Sequence, residues 1–119
     1  MNANSEKPIF LQIVDIIEDE IISGNLKADD RAPSTNEFSS IYKINPATAR
    51  KGLTILVDNG ILYKKRGMGM FVTENARNIV IEKRKEEFLS NLIPEIIKEA
   101  KKLDINKDKL IELIKEVEV

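Results

Sequence analysis

Between Pro33 and Gly60 the chain is told twice, at close range, to begin a helix and then to stop it. Ser34-Thr-Asn-Glu37 has the form of a capping box. In such a box the serine side chain accepts an early helical N–H, and the glutamate reaches back to the cap. Asn45-Pro46 repeats the instruction, since asparagine is a good N-cap and proline suits the first helical position. Gly60 then supplies a left-handed stop. The result is a short helix ending near Tyr42 or Lys43, a tight turn, and a second helix from Asn45 to about Asn59. Phe38 and Ile41 give the first helix its apolar side. Leu56 and Val57 continue the inner side of the second, which turns Thr48, Arg50 and Lys51 outward. This is a helix-turn-helix, a corner that many small helical domains contain.

The flanks make it more specific. Upstream, Ile9, Ile13, Ile16, Ile17 and Ile21 recur at helical spacing and predict a helix from about Pro8 to Ser23, closed by Gly24. Its polar face, with Asp15, Glu18, Asp19 and Glu20, is acidic and is expected to face away from any polyanion. Residues 1–7 are polar and expected to fray, and Asn25 to Pro33 reads as a connector with a turn at Asp29-Asp30. Downstream, Ile61-Leu-Tyr63 reads as a strand, Lys64 to Gly69 as a turn, and Met70-Phe-Val72 as the return strand. A hairpin directly after a helix-turn-helix makes a winged helix. Its two tip glycines allow positive φ and close approach to a partner. Gly67-Met-Gly69 is not a dinucleotide fingerprint, because a third glycine and a following helix are missing.

From about Asn75 to Lys102 a long helix is expected, with Phe88, Leu89, Leu92, Ile93, Ile96, Ile97, Ala100 and Leu103 as a broad apolar stripe. Pro94 sits inside it and must either bend it or break it into two. A last helix runs from about Asn106 to Glu116. Two helices cannot bury two wide apolar faces alone; they need the first domain or a second copy of themselves, and a symmetric homodimer through the C-terminal helices is the economical expectation. The fold class is therefore mainly α with a small β-hairpin. A winged helix-turn-helix over 1–74 is followed by a two-helix dimerisation region over 75–119.

Function classes narrow quickly. The chain has no cysteine and no histidine, which removes thiol chemistry, thiolate zinc sites and the commonest general base. An enzyme would need a carboxylate pair in a cleft, and the carboxylates are expected on exposed helix faces. No catalytic residue, metal or cofactor is assigned. Asp104-Ile-Asn106-Lys-Asp108 starts like a calcium loop, but Lys109 and Lys115 stand where glycine and glutamate belong. An inter-helix turn capped by Asn106 fits better. With no membrane-length apolar run and no signal-peptide pattern, the expected location is the cytoplasm. The net charge of −1 hides an uneven distribution. From Lys43 to Val72, Lys43, Arg50, Lys51, Lys64, Lys65 and Arg66 are opposed by Asp58 and by no other acid. One such cluster is usually a solvated surface, but two on adjacent elements suit double-stranded DNA. The rival reading is a winged helix that contacts only protein, through the acidic face of the first helix. A protein-only module has no need of a basic wing.

Taken in order, Asp30-Arg-Ala-Pro-Ser34, Glu37-Phe38, Asn45 to Leu53, and Arg66-Gly-Met-Gly-Met-Phe-Val72 resemble the GntR family of bacterial transcription regulators over roughly Pro8 to Val72. The short helical tail and Asn45-Pro46 resemble its YtrA-type subfamily. The resemblance implies a dimeric DNA-binding regulator, expected to be a repressor on a palindromic operator. It places Arg31 at DNA backbone or a base, and Ser34, Asn45, Thr48 and Lys51 at phosphates or base edges. Arg50 would meet a guanine or phosphate. Gly67 and Gly69 would bring the wing tip into the minor groove, with Arg66 beside it and Lys64 and Lys65 as non-specific phosphate contacts. For Arg31 the competing role is an ion pair with an acid of the first helix, and for Ser34 it is the helix cap. Ala32 and Ala28-Asp29 depart from the family's Leu and Pro-Gly, which touches packing and turn geometry. Ala47 and Lys51 replace the frequent Thr and Glu on the DNA face, so the operator does not carry over. A small-molecule effector at the dimer interface or beside the tail, and a tail that only dimerises, are both compatible with the sequence.

Overall fold

A computed structural model of the chain describes residues 1–2 and 6–119. It contains six α-helices and one hairpin among the described residues: α1 (Ile9–Ile22), α2 (Thr35–Tyr42), α3 (Pro46–Asp58), β1 (Leu62–Lys65), β2 (Gly69–Val72), α4 (Ala76–Glu87), α5 (Ile93–Lys102) and α6 (Lys107–Glu116). They form two compact units, Met1–Glu82 and Lys83–Val119.

The first unit is built on α1 and α3. Ile13, Val14, Ile17 and Ile21 of α1 and Ala49, Leu53 and Leu56 of α3 are fully buried against Phe38, Ile61, Leu62, Val72 and Val80. Gly52 is what lets the two helices approach. A Cβ there would stand 2.7 Å from the Phe10 carbonyl oxygen and 3.0 Å from the Ile13 side chain. The α2 cap is the expected capping box. Glu37 N–H donates to Ser34 Oγ at 3.0 Å and Ser34 N–H donates to Glu37 Oε1 at 3.3 Å. Lys43 in the left-handed region ends the helix. Asn45 caps α3 by accepting Ala47 N–H at 2.8 Å, with Pro46 opening the helix.

Four expectations need correction. Ile41 is 67% exposed rather than part of the apolar side of α2. The inner stripe runs instead through Phe38 and Tyr42, one turn apart, whose rings stack with centroids 5.5 Å apart. The acids of α1 are not one exposed face, because Glu18 is fully buried while Asp19 is exposed. No buried side-chain oxygen or nitrogen among the described residues lacks a hydrogen-bond partner, so Glu18 is accommodated. Residues 1–7 are not simply frayed. Gln12 exchanges hydrogen bonds with the Asn2 backbone at 3.0 and 2.8 Å, and Lys7 pairs with Asp15, whereas residues 3–5 lie outside the described set. Finally, the connector joins the wing. Asp29 N–H donates to Val72 O, Val72 N–H to Asp30 O and Ala32 N–H to Met70 O, at 2.8 to 2.9 Å, with Arg31 bridging Phe71. The connector thus lies along β2, joined to it by a single bridge and these flanking hydrogen bonds.

In the second unit, Pro94 neither breaks the helix nor merely bends it. Residues Phe88–Leu92 form a π-helical turn in which Ile93 N–H reaches back to Phe88 O. Proline cannot donate and its ring crowds the preceding turn, so a locally wider winding accommodates it. Ile93 and Ile97 are half-buried and Ala100 is buried, with Ile105 and Leu110 of the α6 side half-buried too. Asn106 caps α6 by accepting Lys109 N–H at 2.8 Å. Phe88, Leu89, Leu92, Ile96 and Leu103, Ile111, Leu113 and Ile114 on α6, and Val117 just after it, remain exposed. Among the described residues no helix is long and apolar enough to cross a membrane.

Candidate nucleic-acid interface

Three elements supply the candidate site, and each is aimed by a local rule. The first turn of α2 exposes Asn36 beside half-buried Ser34 and Thr35, because the capping box fixes where that turn begins. On α3 the buried stripe Ala49, Gly52, Leu53 and Leu56 leaves Ala47, Arg50, Lys51 and Thr54 outward, at the three- and four-residue spacing of one helix face. Thr48 is half-buried, at the margin of that face. In the hairpin, Leu62 pairs with Val72 and Lys65 with Gly69. Strand alternation sends Leu62 and Lys64 to one side and Tyr63 and Lys65 to the other. Since Leu62 is in the core, Lys64 is on the side of α3.

These rules converge on one hollow of about 350 Å³. It is lined by Ser34, Thr35 and Asn36 of the α2 start, Arg50, Leu53 and Thr54 of α3, and Lys64, Gly69 and Met70 of the wing. Of the residues expected to meet DNA, it brings together Ser34, Arg50 and Gly69. Lys64, one of the basic cluster read as phosphate contacts, joins them, as do Asn36 and Thr54, which the sequence does not single out. The i+4 step from Arg50 would have found Thr54. Nothing in the sequence alone marks Asn36 beyond its place in the first turn of α2.

The other expected residues lie around this hollow rather than in it. Asn45 is at the α3 N-terminus, its side-chain oxygen occupied as a cap. Lys51 holds its ammonium 4.0 Å from the centre of the Phe10 ring on α1, a cation–π contact. Lys65 leans over Phe71, with its ammonium 4.5 Å from the ring centre, on the face of the hairpin opposite Lys64. Arg66 and Gly67 are exposed in the turn itself, Gly67 at φ +75°. Arg31 does not pair with an acid of α1. Its Nη1 donates to Glu37 Oε1 of α2 at 3.0 Å and its Nε to Met68 O of the wing turn at 3.4 Å.

The electrostatics follow from these pairs. Hydrogen bonds from the Ser34 backbone and hydroxyl, then from Arg31, hold the Glu37 carboxyl below the usual carboxylate range. Tyr63 donates to Asp29 Oδ1 at 2.7 Å, and sharing its proton with a carboxylate raises the phenol above its ordinary value. Gly69 has φ +115°, and a Cβ there would stand 3.1 Å from Arg31 Nε. Gly69→Ala is therefore expected to destabilise the fold by about 1–3 kcal/mol, the cost of forcing an L-residue into such a backbone. A urea midpoint unchanged from wild type would show that the turn simply rebuilds.

Residues 10–72 match the family described as bacterial regulatory proteins, gntR family. Over 117 residues, 98% of this chain and 89% of the other, the sequence is 30% identical to the HTH-type transcriptional repressor YtrA of Bacillus subtilis. A GntR family transcriptional regulator from Listeria monocytogenes superposes with a TM-score of 0.76 at 36% identity, covering 97% of this chain and 99% of that one. The DNA-binding domain of AraR in complex with its operator superposes with a TM-score of 0.56 at 29% identity, covering 61% of this chain and 88% of that one.

Proposed function

Because this chain belongs to the gntR family of bacterial regulatory proteins, and is a DNA-binding transcription regulator rather than an enzyme, we propose that it works as a dimeric repressor on a palindromic operator. In this reading α3 enters the major groove, the wing tip enters the minor groove, and two copies read half-sites about one helical turn apart. Residues 1–74 bind the DNA and residues 75–119 dimerise the chain in the cytoplasm. The observation that carries the reading is the hollow shared by Ser34, Arg50, Lys64 and Gly69, cationic on two of its walls. The repressor title of YtrA supports the sign of regulation. The family membership and the operator complex of a similar domain weigh against a winged helix that contacts only protein.

The residue roles divide by chemistry. Arg50, exposed in the middle of the α3 outer face, has the planar fork that pairs with the two major-groove acceptors of guanine. Ser34, Asn45 and Thr48 sit at or near helix N-termini, where small polar groups suit phosphate. In this reading Lys51, Lys64, Lys65 and Arg66 follow the DNA backbone, and Arg31 stands between α2 and the wing. A small ligand lodged between the two tails would change half-site spacing, whereas a tail that only dimerises would leave DNA affinity blind to metabolites.

In vitro selection from a random duplex library, followed by gel shift at stated salt, tests the proposal. A specific shift whose affinity falls steeply with salt is expected. Non-specific, salt-insensitive retention would end it. On the selected duplex Arg50→Ala is expected to lose about 1–3 kcal/mol of binding and to relax the preference at one base position, as loss of a bidentate base contact does. A uniform loss across all sequences would move Arg50 to a phosphate.

A further inference from the structure

We propose that Glu37 is a positioning residue for Arg31: one carboxylate caps α2 and also clamps the Arg31 guanidinium to the wing turn, so that helix-turn-helix and wing meet DNA as a single surface. The inference rests on the reading of Arg31 as a DNA-facing residue.

Arg31 is held at both ends. Its backbone bridges Phe71 of β2, flanked by the Ala32 to Met70 hydrogen bond at 2.9 Å. Its head donates through Nη1 to Glu37 Oε1 at 3.0 Å and through Nε to Met68 O at 3.4 Å. The wing backbone runs so close that a Cβ on Gly69 would stand 3.1 Å from Nε and 3.7 Å from Nη2. Glu37 cannot swing away to follow the arginine, because the same Oε1 accepts Ser34 N–H at 3.3 Å and its own N–H is bound to Ser34 Oγ at 3.0 Å. Side chain and backbone of Glu37 are thus pinned to the α2 cap, and Arg31 is pinned to Glu37.

Folding stability does not explain the arrangement. The Arg31 and Glu37 side chains are 50% and 47% exposed, and ion pairs in such surroundings add little. What the pair does fix is direction. A guanidinium has five N–H donors in a rigid fork. The bonds to Glu37 and Met68 use Nη1 and Nε, and hold the guanidinium beside Gly69, which lines the hollow together with Ser34 and Arg50. Without the carboxylate a long, flexible arginine is free to leave the wing. The hydrogen bonds from Ser34 and Arg31 favour the charged form of the Glu37 carboxyl.

The test is a double-mutant cycle with the full chain and a duplex recovered by in vitro selection with wild-type protein. Glu37→Gln keeps a cap acceptor and removes the charge. It is expected to weaken binding roughly tenfold, the scale of one charge-assisted hydrogen bond, with little change in thermal midpoint. Arg31→Gln is expected to lose at least as much, and the double variant no more than Arg31→Gln alone. Without DNA, amide exchange at Met68 and Gly69 should quicken in both single variants, so the clamp is broken from either side even if one variant folds poorly. Equal or tighter binding by Glu37→Gln, additive losses, or unchanged wing-tip exchange would overturn the clamp while leaving the DNA role of Arg31 intact. Wild-type affinity in Arg31→Gln would instead remove the DNA role of Arg31, and the clamp with it.

Discussion

Replacing Gly52 with valine is expected to destabilise the first unit by about 3 kcal/mol or more, the upper end of what inserting carbons into a packed core costs. The contact that decides this is with backbone. A Cβ at position 52 would lie 2.7 Å from the Phe10 carbonyl oxygen and 3.0 Å from both Cβ and Cγ2 of Ile13. A side-chain tip could rotate away, but a carbonyl inside α1 cannot move without moving the helix. Neighbouring α1 residues Ile13, Val14 and Ile17 are close-packed in the core and resist that shift. Helix propensity works in the other direction, since glycine in a helix interior gives up about 1 kcal/mol relative to alanine, yet relief of that size is smaller than the clash. Urea unfolding should show a lower midpoint with the slope preserved. Gly24→Ala is a useful contrast: it sits at φ +85° with nothing within 4 Å of an added Cβ, so strain alone acts there. The effect at Gly52 should reach function as well, because α1 is what holds α3 in place. Unaltered stability of Gly52→Val would show that α1 and α3 can separate freely, contrary to their packing.

Gly52 also shows where sequence reading stops. The local devices were legible because their partners are a few residues apart: Ser34 with Glu37, Asn45 with Pro46, Gly60 after the last turn of α3, and the alternating strands around Gly67 and Gly69. Gly52 looks like an ordinary weak point in a helix until α1 is laid across it. Arg31 needs a partner from α2 and a wing turn far along the chain, so where the sequence offers an acid of α1 as its competing role, the fold supplies Glu37. Ile41 was assigned inward by hydropathy, but α2 has barely two turns, and Phe38 with Tyr42 fill its inner side. Lys64 and Lys65 look equivalent in sequence. Only pairing β1 with β2 and burying Leu62 shows that they stand on opposite faces.

Charging the apolar stripe of the second unit should have the largest effect on DNA binding. With Leu92→Glu and Ile96→Glu together, the chain is expected to sediment as a monomer. Its affinity for a two-half-site duplex should fall by roughly 10²- to 10⁴-fold, the range set by losing the second, tethered contact. Leu89, Leu92, Ile96 and Leu103 follow one another at helical spacing and are all exposed, Leu89 at 66%. Ile111 and Ile114 of α6, and Val117 just after it, are exposed as well. Monomeric proteins rarely leave so continuous an apolar surface in water. A two-fold axis would present the same stripe from both copies and remove both from solvent in one step. The buried side of this unit, Ile93, Ile97 and Ala100, is not touched by the substitutions, so helicity should persist. The winged helix keeps its own core, so binding to a duplex carrying one half-site should be unchanged. That contrast separates loss of dimerisation from loss of folding. A double variant that remains dimeric, or a wild-type chain that is monomeric at micromolar concentration while still holding both half-sites, would show that the stripe serves some other contact.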